Sequence, residues 1–126
     1  MNIRRRSAKD LWIYWSMEDN QYNDQFNEIQ KLFPDYKFRK LEVTESKEIE
    51  LDKIFDECIL VMSGSIFKKN RDAIEKNCFL YKIYIFEKMT HLYQNLPSEF
   101  PYVKTVTDDL DEIKACIEVD SVELSI

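Results

Sequence analysis

Cys58-Ile59-Leu60-Val61-Met62-Ser63-Gly64-Ser65 holds five consecutive apolar residues followed by two serines around the chain's one glycine. So short an apolar run, closed by turn-forming residues, reads as a strand buried on both faces, because a half-solvated strand would alternate apolar and polar side chains. Working outward, short apolar runs take turns with helical spacing. Downstream, Ile66, Phe67, Ala73 and Ile74 give residues 66–77 an apolar helical face, and Phe79 to Phe86 is a second strand-like run interrupted by Lys82. Upstream, Leu11 to Trp15 is a third such run. Tyr22, Phe26, Ile29, Leu32 and Phe33 then share one face of an amphipathic helix that Pro34 helps to stop. Tyr36 to Thr44 alternates with one slip in phase, which predicts a strand with a wetter face or an edge position. Ser46 is the N-cap candidate of a helix carrying Ile49, Leu51, Ile54 and Phe55. Thr90 can cap a short helix through Leu96, ended by Pro97. Tyr102 to Val106 is the fifth strand, and Asp108 or Asp109 can cap a last helix with Leu110, Ile113 and Ile117 on one face.

Five strands alternating with helices, three of them nearly continuous in apolar residues, predict a parallel sheet covered on both faces. The expected architecture is a single three-layer α/β/α domain with a five-stranded parallel sheet in the flavodoxin-like order 2-1-3-4-5, the commonest arrangement once crossovers are right-handed. The second and fifth strands then lie at the edges. Residues 1–9, with Arg4, Arg5, Arg6 and Lys9, form a basic leader; residues 10–119 form the domain, and residues 120–126 a tail.

Composition narrows the function. The 126 residues are 44% hydrophobic and 33% charged, which suits a folded chain. One glycine excludes the dinucleotide fingerprint GxGxxG and the phosphate loop GxxxxGK[ST], each of which needs at least two. One histidine, His91, excludes zinc sites built on two histidines, and no metal is expected. A net charge of −6 argues against nucleic-acid binding, which rests on phosphate neutralisation. No stretch approaches the roughly 20 apolar residues that cross a bilayer, so no membrane is expected. Cys58, Cys78 and Cys116 are widely spaced and odd in number, which points away from a disulfide framework and towards a reducing, cytoplasmic setting.

In an open parallel sheet ligands bind beyond the carboxyl ends of the strands, near the switch point between the first and third. The candidate ligand-binding residues are therefore Ser16, Glu18, Asp19, Ser63, Gly64 and Ser65. Ser63-Gly64-Ser65 before a helix can form an anion-binding nest, or a tight turn with a serine cap. Glu18 and Asp19 can serve a ligand, or stabilise the start of a helix. The acidic pair Glu18-Asp19 and the order of elements resemble response-regulator receiver domains. There, Met62-Ser63-Gly64 stands where a receiver carries its phospho-accepting aspartate, and Val106-Thr107-Asp108 where it carries a lysine. Trp12-Ile13-Tyr14-Trp15-Ser16-Met17-Glu18-Asp19, together with Ile59-Leu60-Val61-Met62-Ser63 and Ile66-Phe67, resembles the first and third strands of Toll/interleukin-1-receptor (TIR) domains. That resemblance implies a catalytic glutamate at Glu75, with NAD as the substrate it cleaves.

A receiver-like or TIR-like pattern lacking catalytic groups implies a non-catalytic module that binds a protein partner or itself, in signalling or assembly, without a cofactor. The alternative is a small-ligand binder or NAD-cleaving enzyme using Glu75. Tyr93, Phe100 and Tyr102, punctuated by Pro97 and Pro101, are the expected partner-binding residues, because interface hot spots favour aromatic side chains. On this expectation Tyr93 and Phe100 lie on a partly exposed patch rimmed by the acidic helix from Asp109 to Glu118.

Overall fold

The computed structural model describes residues 8–18 and 21–121. Five strands, β1 (Trp12–Ser16), β2 (Lys37–Lys40), β3 (Cys58–Met62), β4 (Tyr81–Phe86) and β5 (Val103–Thr107), form one sheet in the order β2-β1-β3-β4-β5. All four pairings are parallel, with Trp12 opposite both Lys37 and Cys58, and Cys58 opposite Tyr81. The helices are α1 (Asn23–Leu32), α2 (Gly64–Lys76), α3 (Leu96–Glu99) and α4 (Leu110–Ser121). This is the expected flavodoxin-like order, with β2 and β5 at the edges.

Successive side chains of a strand point to opposite faces, so the apolar runs feed two cores. On one face Ile13, Trp15, Ile59, Val61, Tyr84 and Phe86 meet Phe26 and Ile29 of α1 and Ile113 and Ile117 of α4. On the other, Leu60, Met62, Ile83 and Ile85 meet Ile66, Phe67 and Ile74 of α2. Every residue of β3 is buried, as its unbroken apolar run requires. Each such side chain contributes roughly 1.5–3 kcal/mol through burial. Ala8 is buried in the helical turn Ala8–Asp10, which packs against α4.

The predicted helix from Ser46 to Phe55 does not form. Residues 41–57 make an extended strap, with Val43 bridging Ile49 in antiparallel fashion. Ile49, Leu51 and Ile54 are buried while Phe55 is 86% exposed. Ile49 and Leu51 lie two residues apart, a spacing that puts both on one side of an extended chain and on different sides of a helix. The strap is tied down by Asn70 of α2, whose amide group donates to the Lys47 carbonyl (2.8 Å) while its oxygen accepts from the Ile49 N–H (3.2 Å).

Smaller differences also have local causes. β2 is shorter than expected: the Leu41 N–H makes a last bond to the Trp15 carbonyl (3.0 Å) and the chain then leaves the sheet. β4 begins at Tyr81, after a helical turn Cys78–Leu80 that leaves Phe79 exposed. Pro97 lies in the first turn of α3 instead of ending a helix, a position where its missing N–H costs no bond.

Candidate functional site

The carboxyl ends of β1 and β3 deliver Glu18 and Ser63 to the same place. Ser63 is the N-cap of α2: its hydroxyl oxygen accepts from the Ile66 N–H (3.3 Å). The same hydroxyl donates to Oε1 of Glu18 at 2.9 Å, and the Ser65 hydroxyl bonds that oxygen too. Lys47, reaching in from the strap, pairs with Oε2 of Glu18 at 3.2 Å. The carboxylate thus sits at the positive end of α2, where a helix favours an anion. Burial pushes the Glu18 carboxyl up, but the bonds from Ser65, Ser63 and Lys47 and the charge of Lys47 outweigh it and hold the group below its ordinary value.

Gly64 has an ordinary backbone conformation, so its role is steric. A Cβ on Gly64 would lie 2.5 Å from the Tyr93 ring, which occupies the space above it. Lys68 Nζ lies 4.8 Å from the centre of the same ring. Burial raises the Tyr93 phenol, and the nearby carboxylates of Glu87 and Glu18 raise it further against Lys47. Tyr93 therefore belongs to the closure of this corner. Ser16 is fully buried one position from the end of the same crevice, its hydroxyl without a partner among the described residues. Asp19 lies outside the described residues. Of the six candidate ligand-binding residues, Glu18, Ser63, Gly64 and Ser65 are brought together.

The three expected aromatic residues differ in exposure. Tyr93 is buried over Gly64, while Phe100 and Tyr102 are half-buried against Phe67, with ring centres 5.4 and 6.4 Å from it. These rings belong to the α2 face of the sheet, whereas α4 packs on the opposite face. The sequence shows three aromatics near two prolines but not which face each ring takes. The exposed apolar residues nearby are Met89 and Leu92.

Glu75 lies in the last turn of α2, exposed, with the Tyr102 hydroxyl donating to it at 3.5 Å. Because α2 starts at Gly64, a rise of 1.5 Å per residue places Glu75 about 16 Å along the axis from that end. Tyr102 directly precedes β5, so Glu75 belongs to the amino-terminal edge of the sheet. Glu75 and Ser63 are not brought together.

Lys47 and Asn70 complete the corner and were not among the sequence candidates. Asn70 did carry a signal: it stands between Ile66 and Ile74 on the apolar stripe of its helix, where a buried polar group needs tertiary partners. Lys47 carried none, being one lysine among many. The three cysteines are free. Burial, with Asp56 nearby, pushes Cys58 up to about 12 and also raises Cys116, so neither is a thiolate nucleophile. Among the described residues, no cluster of three His, Cys, Asp or Glu could hold a metal ion, and no helix is long and apolar enough to cross a membrane. Comparison with protein-family models, with curated proteins and with solved structures finds no match to the chain.

Proposed function

We propose that this chain is a non-catalytic interaction module of receiver-like or TIR-like type, acting in the cytoplasm through binding of a protein partner or of itself in signalling or assembly. The observation that carries the reading is the self-occupied corner at the carboxyl ends of β1 and β3. Glu18 takes the anion position at the start of α2, bonded by Ser63, Ser65 and Lys47, and Tyr93 packs over Gly64. A carboxylate held below its ordinary pKa is a poor general base at neutral pH, because it gains little by taking a proton. β3 ends at Met62, followed by Ser63, and offers no carboxylate for phosphoryl transfer. Glu75, the residue that NAD cleavage would use, stands at the other end of α2.

The deciding experiment incubates concentrated protein with NAD and measures free nicotinamide. The expected outcome is none above the protein-free rate, with thermal stability unchanged by Mg²⁺ and beryllofluoride. Nicotinamide release that disappears in Glu75→Ala overturns the reading.

A further inference from the structure

The amino-terminal edge of the sheet, at the opposite end from the corner held by Glu18, carries aromatic side chains that the fold leaves in solvent. Phe55 is 86% exposed and Phe79 is 77% exposed. Cys58 and Tyr81 stand opposite each other at the starts of β3 and β4, so Phe55 and Phe79, three and two residues before them, emerge on neighbouring segments of chain. Trp12, the first residue of β1 and also opposite Cys58, is 43% exposed on the same edge. The fold accounts for where these two phenylalanines point but not for their being phenylalanine. Ile54 turns inward and its neighbour Phe55 outward; Leu80 packs on the core while Phe79, in the same helical turn, does not. A polar residue would serve the monomer equally well at either position. Scattered exposed apolar residues need no explanation, but aromatic rings grouped at one edge mark a contact surface.

The charges around the two rings are opposite in sign. Asp56 and Glu57 directly follow Phe55, and Lys53, the cation before it, is taken by Glu50 at 2.8 Å. Lys76, in the last turn of α2, precedes Phe79, and the adjacent Glu75 is engaged by the Tyr102 hydroxyl. Glu57 and Lys76 are both exposed, and neither has an oppositely charged partner among the described residues. Such an edge is complementary to itself: a two-fold axis between the phenylalanines sets the acidic side of one copy against the basic side of the other, twice over. Two largely exposed rings bring about 300 Å² from each copy. The pair thus covers more than half of the roughly 1,000 Å² that a specific interface needs before Trp12 and the charged rim are added, which suits a weak, reversible dimer.

We propose that the amino-terminal edge is the surface through which two copies of this chain associate, with Phe55 and Phe79 at its centre and Glu57 of each copy facing the partner's Lys76. This rests on the reading of the chain as an interaction module and names its partner as a second copy.

Sedimentation velocity across a concentration series tests it. The parent should pass from monomer to dimer between about 1 µM and 1 mM, the range of small interfaces. Phe55→Ser and Phe79→Ser should each weaken dimerisation at least about tenfold with the urea midpoint unchanged, since neither ring is part of the core. Glu57→Lys alone and Lys76→Glu alone place like charges together at two symmetric points and should each weaken it about tenfold, while the double exchange returns it to within about threefold of the parent. This charge exchange decides the matter even if a serine variant fails to fold. A parent that stays monomeric at 1 mM, a dimer indifferent to both serine substitutions, or a double exchange no better than the single ones overturns the proposal. A monomer that releases no nicotinamide from NAD would remove this interface and leave the module reading standing with another partner; nicotinamide release lost in Glu75→Ala would remove that reading and leave the dimer.

Discussion

Gly64 illustrates how one residue is chosen by a neighbour distant in sequence. In a helix, glycine is ordinarily worse than alanine by about 0.5–1 kcal/mol, because it loses more backbone freedom on folding. Here that cost is offset by the Tyr93 ring, 2.5 Å from where a Cβ would lie. Gly64→Ala should therefore destabilise the protein by about 1–3 kcal/mol, the range for forcing extra volume into a packed site. In a Tyr93→Ala background the ring is gone and the same substitution should become stabilising, by up to about 1 kcal/mol. Urea denaturation of the four proteins of this cycle measures the coupling. Equal effects of Gly64→Ala in both backgrounds would show that Tyr93 does not select glycine.

At the scale of elements, the strap of residues 41–57 replaces the helix that usually joins the second and third strands of such a sheet. It covers the sheet with Ile49, Leu51 and Ile54 instead of a helical face. Its conformation is imposed from outside, by Asn70 on its backbone and by Lys47 at φ 62°, an angle that side-chain-bearing residues adopt at a cost. Asn70→Ala would leave the Ile49 N–H and the Lys47 carbonyl without their partner. A buried group so orphaned costs about 1–3 kcal/mol. The expected result is a loss of about 2–4 kcal/mol in global stability, with hydrogen exchange in the strap accelerating more than in β3. Uniform acceleration across the strap and β3 would mean that the strap has no separate opening.

At the scale of the whole molecule, the Glu18 cluster links folding to pH. The folded carboxyl titrates below its ordinary value, near 4.3 in an unfolded chain, so on acidification the unfolded state takes up the proton first. The stabilisation from Glu18 is thus complete above the unfolded pKa and is lost as pH falls through the folded one. Glu18→Gln should be less stable than the parent at pH 7, and the gap should narrow steadily below about pH 4. Urea midpoints measured across that range report this directly. A gap that stays constant with pH would place the contribution of Glu18 in shape instead of charge.

What the sequence determined by itself was the sheet. Five apolar runs, their lengths and their alternation with amphipathic segments contain the strand count and the parallel direction, because burial on two faces writes itself into consecutive residues such as Cys58 to Met62. Strand order followed from chain connectivity and handedness, and the nearness of Glu18 to Ser63 followed from the switch point. Local pattern could not contain what depends on contacts across the fold. Residues 46–55 were read as a helix because single apolar residues were counted without the Asn70 bonds that hold the chain extended. Tyr93 was read as partly exposed because the space above Gly64 exists only once β3, α2 and the segment after β4 have come together. Glu75 was marked by a resemblance alone, and where α2 begins decides which edge of the sheet it reaches. Periodicity records which side of an element is buried; only the tertiary structure decides what it is buried against.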